Sequence, residues 1–292
     1  MSLKITTLIE NMSDDAGIME FEHGFSVLVE VDGSRILFDT GQSGKFVENA
    51  RMLGEDLSSV DAIVLSHGHY DHTGGVPTLL SELNRKVPVY IGKEFFAPKY
   101  KLLEDGTYKY NGIPFERKLL EAGDSPAELH YIGENVTRIS ERLILFKNFA
   151  RVTDYEGINP KFFIKKEQGF YPDLFADEIA LGVLTGEGLV LIVGCSHAGI
   201  VNILEHVKQE LGIPVAAVLG GTHLVEAGKE RLEKTVEALK SHCVKTIAVS
   251  HCTGEEGMEL LQKEFPIGFV RNNTGKRMEF RDGKVFYNGI LV

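Results

Sequence analysis

The hydrophobic positions of this chain fall into short runs separated by polar loops, and the lengths of those runs predict an α/β fold. Runs of four or five apolar residues at 62–65, 189–193 and 215–219 have the length of buried β-strands. After residue 188, each strand-like run is followed by a loop and a helical segment. Residues 200–211 show the clearest helix, with apolar positions three and four apart and Gly212 at the end.

The N-terminal part of the chain predicts antiparallel strands. Residues 4–9 alternate in the manner of an edge strand, and residues 26–31 and 35–38 flank Asp32-Gly33, a strong two-residue hairpin signal. A second signal of this kind, Asp282-Gly283, predicts a final hairpin near the C-terminus.

The middle of the chain, from about 92 to 178, loses the strand–helix alternation and holds more than half of the aromatic residues. Irregular stretches of this length inside a domain are usually lids or binding loops. We therefore predict one domain over residues 1–292, with 92–178 as an insertion or lid within it. The alternative is that most of these rings form a small aromatic core beneath long loops, while some stack on a flat substrate.

Composition limits the partners and the compartment. The net charge is −11 and no dense Lys/Arg run occurs, so nucleic acid is not expected as a partner. No apolar stretch approaches the roughly 20 residues of a membrane span, and no secretory signal pattern precedes residue 10. Three cysteines (Cys195, Cys243 and Cys252) are too few for a disulfide framework and indicate a reducing cytoplasm. The oligomeric state stays open.

The strongest chemical signal lies directly after the strand-like run at 62–65. Three imidazoles and one carboxylate, namely His67, His69, Asp71 and His72, fall within six positions and precede a predicted helix. Strand-to-helix loops are where open α/β sheets place their ligand sites. Four potential ligands this close together predict a metal site, and the nitrogen and oxygen donors favour zinc, with manganese or iron as alternatives.

Histidines recur at the ends of other apolar runs. Six of the ten lie at or just past such an end: His67, His69, His72, His197, His223 and His251. Strand ends at one edge of a parallel-type sheet converge in space, so residues distant in sequence can share one site. Scattered structural histidines would not be expected to occupy this position so often.

The motif His-x-His-x-Asp-His after a buried strand resembles the signature of the metallo-β-lactamase superfamily. The resemblance implies a four-layer αββα sandwich with one or two metal ions at the sheet edges. It assigns His67 and His69 to the first metal, and Asp71 and His72 to the second. In the superfamily, an aspartate at the place of Asp39 braces the metal-binding loop by hydrogen bonds; the alternative role for Asp39 is a helix cap.

The remaining ligands match the superfamily pattern less well. His251 resembles the final histidine of the second metal, and Cys195 occupies the place where the superfamily usually has a bridging aspartate. Because only His130 lies between 73 and 193, His197 is the natural substitute for the missing third histidine of the first metal. His223 is either a further ligand or a substrate contact, and Cys195 is either near the metals or a buried structural thiol.

The segments Gly-Cys-Ser-His-Ala-Gly-Ile-Val-Asn, Gly-Gly-Thr-His-Leu and Ser-His-Cys-Thr-Gly resemble one branch of metal-dependent hydrolases in this superfamily. Some members of that branch are named as synthases of 7,8-dihydropterin-6-ylmethyl-4-(β-D-ribofuranosyl)aminobenzene 5′-phosphate. The resemblance implies a hydrolase that uses metal-bound hydroxide on a small phosphoester, ester or thioester, with Asp71 as a proton acceptor. The alternative is a transferase that uses a pterin diphosphate, whose diphosphate would suit magnesium, although a histidine-rich site suits magnesium poorly.

Overall fold

Two β-sheets packed face to face form the centre of the molecule, and helices cover the outer face of each. This computed structural model describes residues 2–281 and 284–291. The predicted turn at Asp282-Gly283 lies outside the described residues. No helix within the described ranges has the length and apolar character of a membrane span.

The strands and helices alternate most regularly in the C-terminal third of the chain. The strands are β1 (Ser2–Ile9), β2 (Ser26–Val31), β3 (Ser34–Phe38), β4 (Ala62–Val64), β5 (Val87–Gly92), β6 (Lys99–Leu102), β7 (Tyr108–Tyr110), β8 (Ala127–Ile132), β9 (Val136–Arg138), β10 (Leu143–Phe146), β11 (Phe162–Lys166), β12 (Gly169–Pro172), β13 (Ala180–Thr185), β14 (Gly188–Val193), β15 (Val215–Gly221), β16 (Thr246–Ser250), β17 (Phe269–Arg271), β18 (Arg277–Arg281), β19 (Lys284–Tyr287) and β20 (Ile290–Leu291). The helices are α1 (Lys45–Met52), α2 (Tyr70–Thr73), α3 (Val76–Glu82), α4 (Lys118–Glu121), α5 (Ile200–Leu211), α6 (Lys229–Ser241) and α7 (Glu255–Glu264). Short 3-10 turns cover Leu57–Ser59 and His251–Thr253.

The first sheet has nine strands in the order β20-β19-β18-β1-β2-β3-β4-β5-β8. The prediction that residues 4–9 form an edge strand is wrong, because β18 pairs with the other side of β1 and places it inside the sheet. Strands β3, β4, β5 and β8 run parallel to one another. Their carboxyl ends therefore lie along one edge, and β4 leads there into the histidine loop.

The second sheet has seven strands in the order β17-β16-β15-β14-β13-β10-β9. Strands β14, β15, β16 and β17 are parallel, with α5, α6 and α7 as the connections between them. Helix α5 ends where the sequence predicts, because Gly212 adopts the left-handed conformation (φ 65°) that glycine tolerates best. The carboxyl ends of these strands carry His197, His223 and His251.

Three hydrophobic clusters hold the four layers together. Phe38 and Val64 of the first sheet meet Ile192 and Leu219 of the second between the sheets. One outer cluster packs α1 and α3 on the first sheet, and the other packs α5, α6 and α7 on the second. This layering confirms the predicted αββα sandwich.

The stretch from 92 to 178 contributes strands to all three sheets of the structure. Strand β8 is the last strand of the nine-stranded sheet, and β9 and β10 belong to the seven-stranded sheet. The remaining strands form a separate four-stranded sheet in the order β12-β11-β6-β7. Only this small sheet and its connecting loops lie outside the two main sheets, so the inserted part is shorter than the predicted 92–178. The assignment of the whole chain to one domain stays a prediction.

Candidate metal centre

The histidine loop occupies the space between the carboxyl end of β4 and helix α3. Its backbone makes a close turn at Gly68, where a Cβ atom would stand 2.3 Å from the carbonyl oxygen of Phe95. A carboxylate oxygen of Asp177 accepts a hydrogen bond from the Gly68 amide at 2.7 Å. Glycine is needed between the two histidines because any side chain there would displace the neighbouring loop.

His67, His69 and His197 form one group of side chains, although His197 lies more than a hundred residues further along the chain. One ligand atom from each of the three lies within 4.8 Å of the others. Nε2 of His67 is 3.0 Å from Nδ1 of His69. Burial lowers the pKa of all three imidazoles well below the usual value, so they are neutral near pH 7. Neutral imidazole is the form that binds a metal.

Asp71, His72 and His251 form a second group beside the first. Oδ2 of Asp71 is 3.4 Å from Nε2 of His251 and 3.7 Å from Nε2 of His72, and the two imidazole nitrogens are 3.2 Å apart. Burial acts to raise the pKa of Asp71, but the charge on His72 and a hydrogen bond from His23 outweigh it and hold that pKa well below its usual range. Asp71 is therefore a carboxylate, which is the form that binds a cation.

Asp39 connects the end of β3 to the histidine loop. Its carboxylate accepts hydrogen bonds from the amide and the hydroxyl of Ser66, both at 2.7 Å, and from Nδ1 of His72 at 2.6 Å. Burial opposes protonation of His72, yet the charges of Asp39 and Asp71 outweigh burial and raise its pKa to about 9, so a metal ion that binds Nε2 would have to displace a proton from it. Because Nδ1 donates to Asp39, Nε2 is the nitrogen that faces the other candidate ligands.

Cys195 lies between the two groups. Its Sγ is 3.1 Å from Nε2 of His72. It belongs to one potential ligand group with His67 and His72, to another with His251 and Cys252, and to a third with His197 and His223. Burial, reinforced by Cys252, raises the pKa of the Cys195 thiol well above its usual value. The central position is the one that a bridging ligand would need.

His197 is the residue whose environment fits a metal ligand best. Its side chain is buried, and neither ring nitrogen has a hydrogen-bond partner within the described part of the chain. Phe175 stacks on the ring with centroids 3.7 Å apart, and the Glu178 carboxylate accepts a hydrogen bond from the backbone amide of His197 at 2.7 Å. A buried imidazole held this firmly with two unpaired nitrogens is costly unless something binds it. The donor set therefore fits a transition metal.

His223 lies further out, at the end of β15. Its ring is 4.4 Å from that of His197 between centroids, and its Nε2 is 3.5 Å from the amide nitrogen of Asn159 and 3.9 Å from Glu226. Its Nδ1 lacks a hydrogen-bond partner within residues 2–281 and 284–291. This geometry is compatible with both roles that the sequence leaves open, a further ligand and a substrate contact.

The backbone around the centre is strained at four non-glycine residues. Asp39, Ser196, His223 and His251 all have φ between 47° and 58°. Residues other than glycine rarely adopt this left-handed region, and such positions cluster at functional sites. All four follow the end of a strand, so the chain turns sharply there and directs side chains towards one point.

Comparison with known proteins agrees with this geometry. The profile described as "Metallo-beta-lactamase superfamily" matches residues 19–208, which is more than half of the chain. The chain belongs to the metallo-β-lactamase superfamily. The match includes the histidine loop, Asp39, Cys195 and His197, whereas His223 and His251 lie beyond it.

Two similar proteins cover nearly the whole chain. The 7,8-dihydropterin-6-methyl-4-(β-D-ribofuranosyl)-aminobenzene-5′-phosphate synthase of Methanocaldococcus jannaschii is 32% identical over 96% of this chain and 97% of its own length. The crystal structure of a metal-dependent hydrolase of the β-lactamase superfamily is 33% identical, covers 96% of this chain and 100% of that one, and superposes with a TM-score of 0.82. A diphosphatase of the PhnP family, at 15% identity and a TM-score of 0.51, shares the fold.

The structure brings together all the candidate ligands that the sequence singles out and adds three side chains that sequence reasoning missed. Asn11 accepts a hydrogen bond from Nδ1 of His251 at 3.0 Å, and His23 lies 3.2 Å from Asp71. Asn111 lies 3.2 Å from Nε2 of His69. Each of the three comes from a loop. Of the three, only His23 could have been suspected from the sequence, because it is a potential metal ligand that lies just before a strand.

A cavity of about 430 Å³ opens onto the centre. Its floor contains His69, Asp71, Cys195 and His197, and its walls include residues of the small four-stranded sheet. The cavity is large enough for a small molecule, and it leads directly to the two groups of candidate ligands.

Proposed function

We propose that this chain is a metal-dependent hydrolase of small phosphoester, ester or thioester substrates. The observation that carries the proposal is the pair of ligand groups, His67–His69–His197 and Asp71–His72–His251, which lie on either side of Cys195 and of which His69, His197, Asp71 and His251 line one cavity. Zinc is the first candidate because the donors are imidazole nitrogens, a carboxylate and nearby thiols, and manganese and iron are the alternatives.

The proposed roles of the residues follow from their contacts. His67, His69 and His197 would hold a first ion, and Asp71, His72 and His251 a second. A bound divalent ion would lower the pKa of a coordinated water to about 7 and polarise the scissile group. Asp71 is the proposed proton acceptor at the centre, and Asp39 keeps His72 oriented through the 2.6 Å hydrogen bond.

The second candidate is a transferase, and the similarity to the Methanocaldococcus jannaschii synthase over almost the full length of both proteins favours it. In such a reaction the carbon or nitrogen of an aminobenzene would attack the methylene of a dihydropterin diphosphate, and diphosphate would leave. The bond formed joins the methylene to the nucleophile, and the bond broken joins the methylene to the diphosphate oxygen. The aromatic side chains of the small sheet are compatible with a flat substrate.

The two candidates differ in whether water is the acceptor. The purified protein should first be analysed for zinc, manganese, iron and magnesium. It should then be assayed with a phosphodiester, a thioester and a dihydropterin diphosphate, each with and without an aminobenzene acceptor. A hydrolase turns over the ester substrates without the acceptor, and chelation of the metal abolishes turnover.

The outcomes separate the proposals clearly. Product formation that requires the aminobenzene acceptor would replace the hydrolase by the transferase. Turnover of an ester that persists in the metal-free protein would contradict the metal-dependent mechanism in both forms. Cytoplasmic location and small-molecule substrates are part of the same proposal. The few cysteines favour a reducing compartment, and the sequence contains no dense basic run that would bind nucleic acid.

A further inference from the structure

Three side chains stand in one row across the small four-stranded sheet and lead away from the metal centre. Phe162 of β11 is directly opposite Lys101 of β6, and Lys101 is directly opposite Lys109 of β7. Residues directly opposite one another in antiparallel strands share a face, and all three line the cavity above the metal centre. This row is called the lysine row below.

The lysine row begins at the candidate ligands. The Phe162 ring lies 5.4 Å from the ring of His69 and 5.1 Å from that of His197, between centroids. Nζ of Lys101 is 5.5 Å from the Phe162 centroid. A molecule that extends outward from the metal centre along this face therefore meets the phenyl ring first and the two ammonium groups next.

The two lysines are an unfavourable pair in the protein alone. Like charges directly opposite each other in a sheet destabilise it. In the chain as described, 2–281 and 284–291, neither Lys101 nor Lys109 forms an ion pair within 4.0 Å. Lys99, two residues before Lys101 on the same strand, differs: it is buried against Asp173 and Asp177 at 2.7 and 2.9 Å. The charge of Lys99 is matched inside the protein, whereas the charges of the lysine row face the cavity.

From this arrangement we infer that Lys101 and Lys109 bind a phosphate monoester carried by the substrate at a distance from the reacting group, with the body of the substrate on Phe162. Two adjacent ammonium groups match a phosphate monoester, which carries a charge of about −1.5 to −2 at pH 7, better than a singly charged carboxylate. The flat phenyl surface between phosphate and metal favours an aromatic or otherwise apolar body. This inference builds on the proposed function, since it adds an anchoring site to the same cavity.

The test measures binding rather than turnover, so it does not depend on which reaction the protein catalyses. Phenyl phosphate is titrated into the metal-loaded protein by calorimetry, with benzoate and benzyl alcohol as ligands of lower charge. The variant is Lys101→Gln with Lys109→Gln. The matched control is Lys165→Gln with Lys166→Gln, which removes the same charge from β11 of the same sheet and lies outside the cavity.

The dissociation constant of phenyl phosphate should rise about tenfold or more in the Lys101/Lys109 variant, because two charge-assisted contacts are lost. The control should bind as the unchanged protein does. Binding to the unchanged protein should weaken with added salt more steeply than binding to the variant. Benzoate should bind the unchanged protein more weakly than phenyl phosphate, and Phe162→Leu should weaken the binding of all three aromatic ligands while the protein keeps its metal.

Equal affinity of the unchanged protein and the Lys101/Lys109 variant for phenyl phosphate would overturn the anchoring site. A phosphate held by the metal centre alone would give that result. Metal-dependent turnover together with unchanged phosphate affinity would refute the lysine row and leave the proposed function intact. If the Lys101/Lys109 variant loses affinity for phenyl phosphate but the unchanged protein hydrolyses none of the substrates, the lysine row is supported and the proposed hydrolase function is refuted.

Discussion

The Sγ atom of Cys195 lies 3.1 Å from Nε2 of His72, although the two residues are 123 positions apart in the chain. The contact joins the carboxyl end of β14 in one sheet to the histidine loop that follows β4 in the other. The metal centre is thus built across the sandwich, and neither sheet holds it alone. A substitution on either side of this contact can therefore change both metal binding and folding, so the two effects have to be measured independently.

His67→Ala combined with His69→Ala should remove the metal from the first site. Both side chains are buried in the same group as His197, and no other histidine of the described residues belongs to that group. Elemental analysis of the purified variant should show a loss of about one equivalent of transition metal per chain. His130→Ala with His242→Ala is the control, because these histidines pair with Glu128 and Glu205 away from the centre. Unchanged metal content in the His67/His69 variant would refute the assignment.

Asp39→Asn should weaken metal binding about 10- to 100-fold while the ligands remain in place. The carboxylate accepts a hydrogen bond from Nδ1 of His72, and an amide in its place cannot hold that ring orientation equally well. Affinity is measured by competition with a chromogenic chelator. Asp61→Asn is the control, because Asp61 is an exposed aspartate directly before β4. Equal metal affinity in the two variants would show that Asp39 acts only in folding.

The histidine loop and its neighbouring strands were predictable from sequence because their signals are local. The run 62–65, the cluster His67–His72 and the apolar face of residues 76–83 lie within a few residues of one another, and the same holds for the strand ends at His197 and His251. Parallel strand ends must converge at one sheet edge, so the sequence also predicts that distant histidines meet.

Long-range pairing and loop placement were not predictable in this way. Strand β1 becomes an interior strand only because β18, more than 260 residues later, pairs with it. Asn11 and Asn111 reach His251 and His69 from irregular loops, and no periodicity marks them. The stretch 92–178 also appeared more uniform than it is, since β8, β9 and β10 extend the main sheets and carry too little regular pattern to reveal it.

Lys99→Met should destabilise the fold by about 3–5 kcal/mol, because it leaves Asp173 and Asp177 buried without their cation. Asp177 also holds the Gly68 amide of the histidine loop. The free energy of unfolding is measured in urea with the metal removed, so that metal binding does not contribute. Lys118→Met is the control, since its ion pair with Glu116 is exposed and should contribute about 0–1 kcal/mol. A cost below 1 kcal/mol for Lys99→Met would contradict this account.

The small four-stranded sheet and its loops should be protected from proteolysis when the cavity is occupied. Lys101 and Phe162 line the cavity, and Val152 and Ile158 in the preceding loop are exposed. With phenyl phosphate at about ten times its dissociation constant, tryptic cleavage between residues 99 and 166 should slow about tenfold. Cleavage in helix α6 is the internal reference. If cleavage slows equally in residues 99–166 and in helix α6, the ligand stabilises the whole fold, and the idea that this segment covers the cavity is contradicted.

The last prediction concerns Cys195 and His197, which both follow β14 at alternate positions. Both side chains reach the centre, but their surroundings differ. Among the residues that the structure describes, neither buried ring nitrogen of His197 has a hydrogen-bond partner, and Phe175 fixes the ring plane, whereas the Cys195 thiol already contacts His72. We therefore expect His197 to be the stronger ligand.

His197→Ala should lower metal affinity far more than Cys195→Ser, since alanine removes a ligand while serine keeps a small polar group beside His72. Chelator competition gives both affinities, and circular dichroism of the metal-free proteins checks that each variant is folded. A thiolate bound to zinc would lie about 2.3 Å from the ion, which X-ray absorption spectroscopy measures directly. Such a sulfur shell, or a larger loss of affinity in Cys195→Ser than in His197→Ala, would identify Cys195 as the main ligand and contradict the expected order.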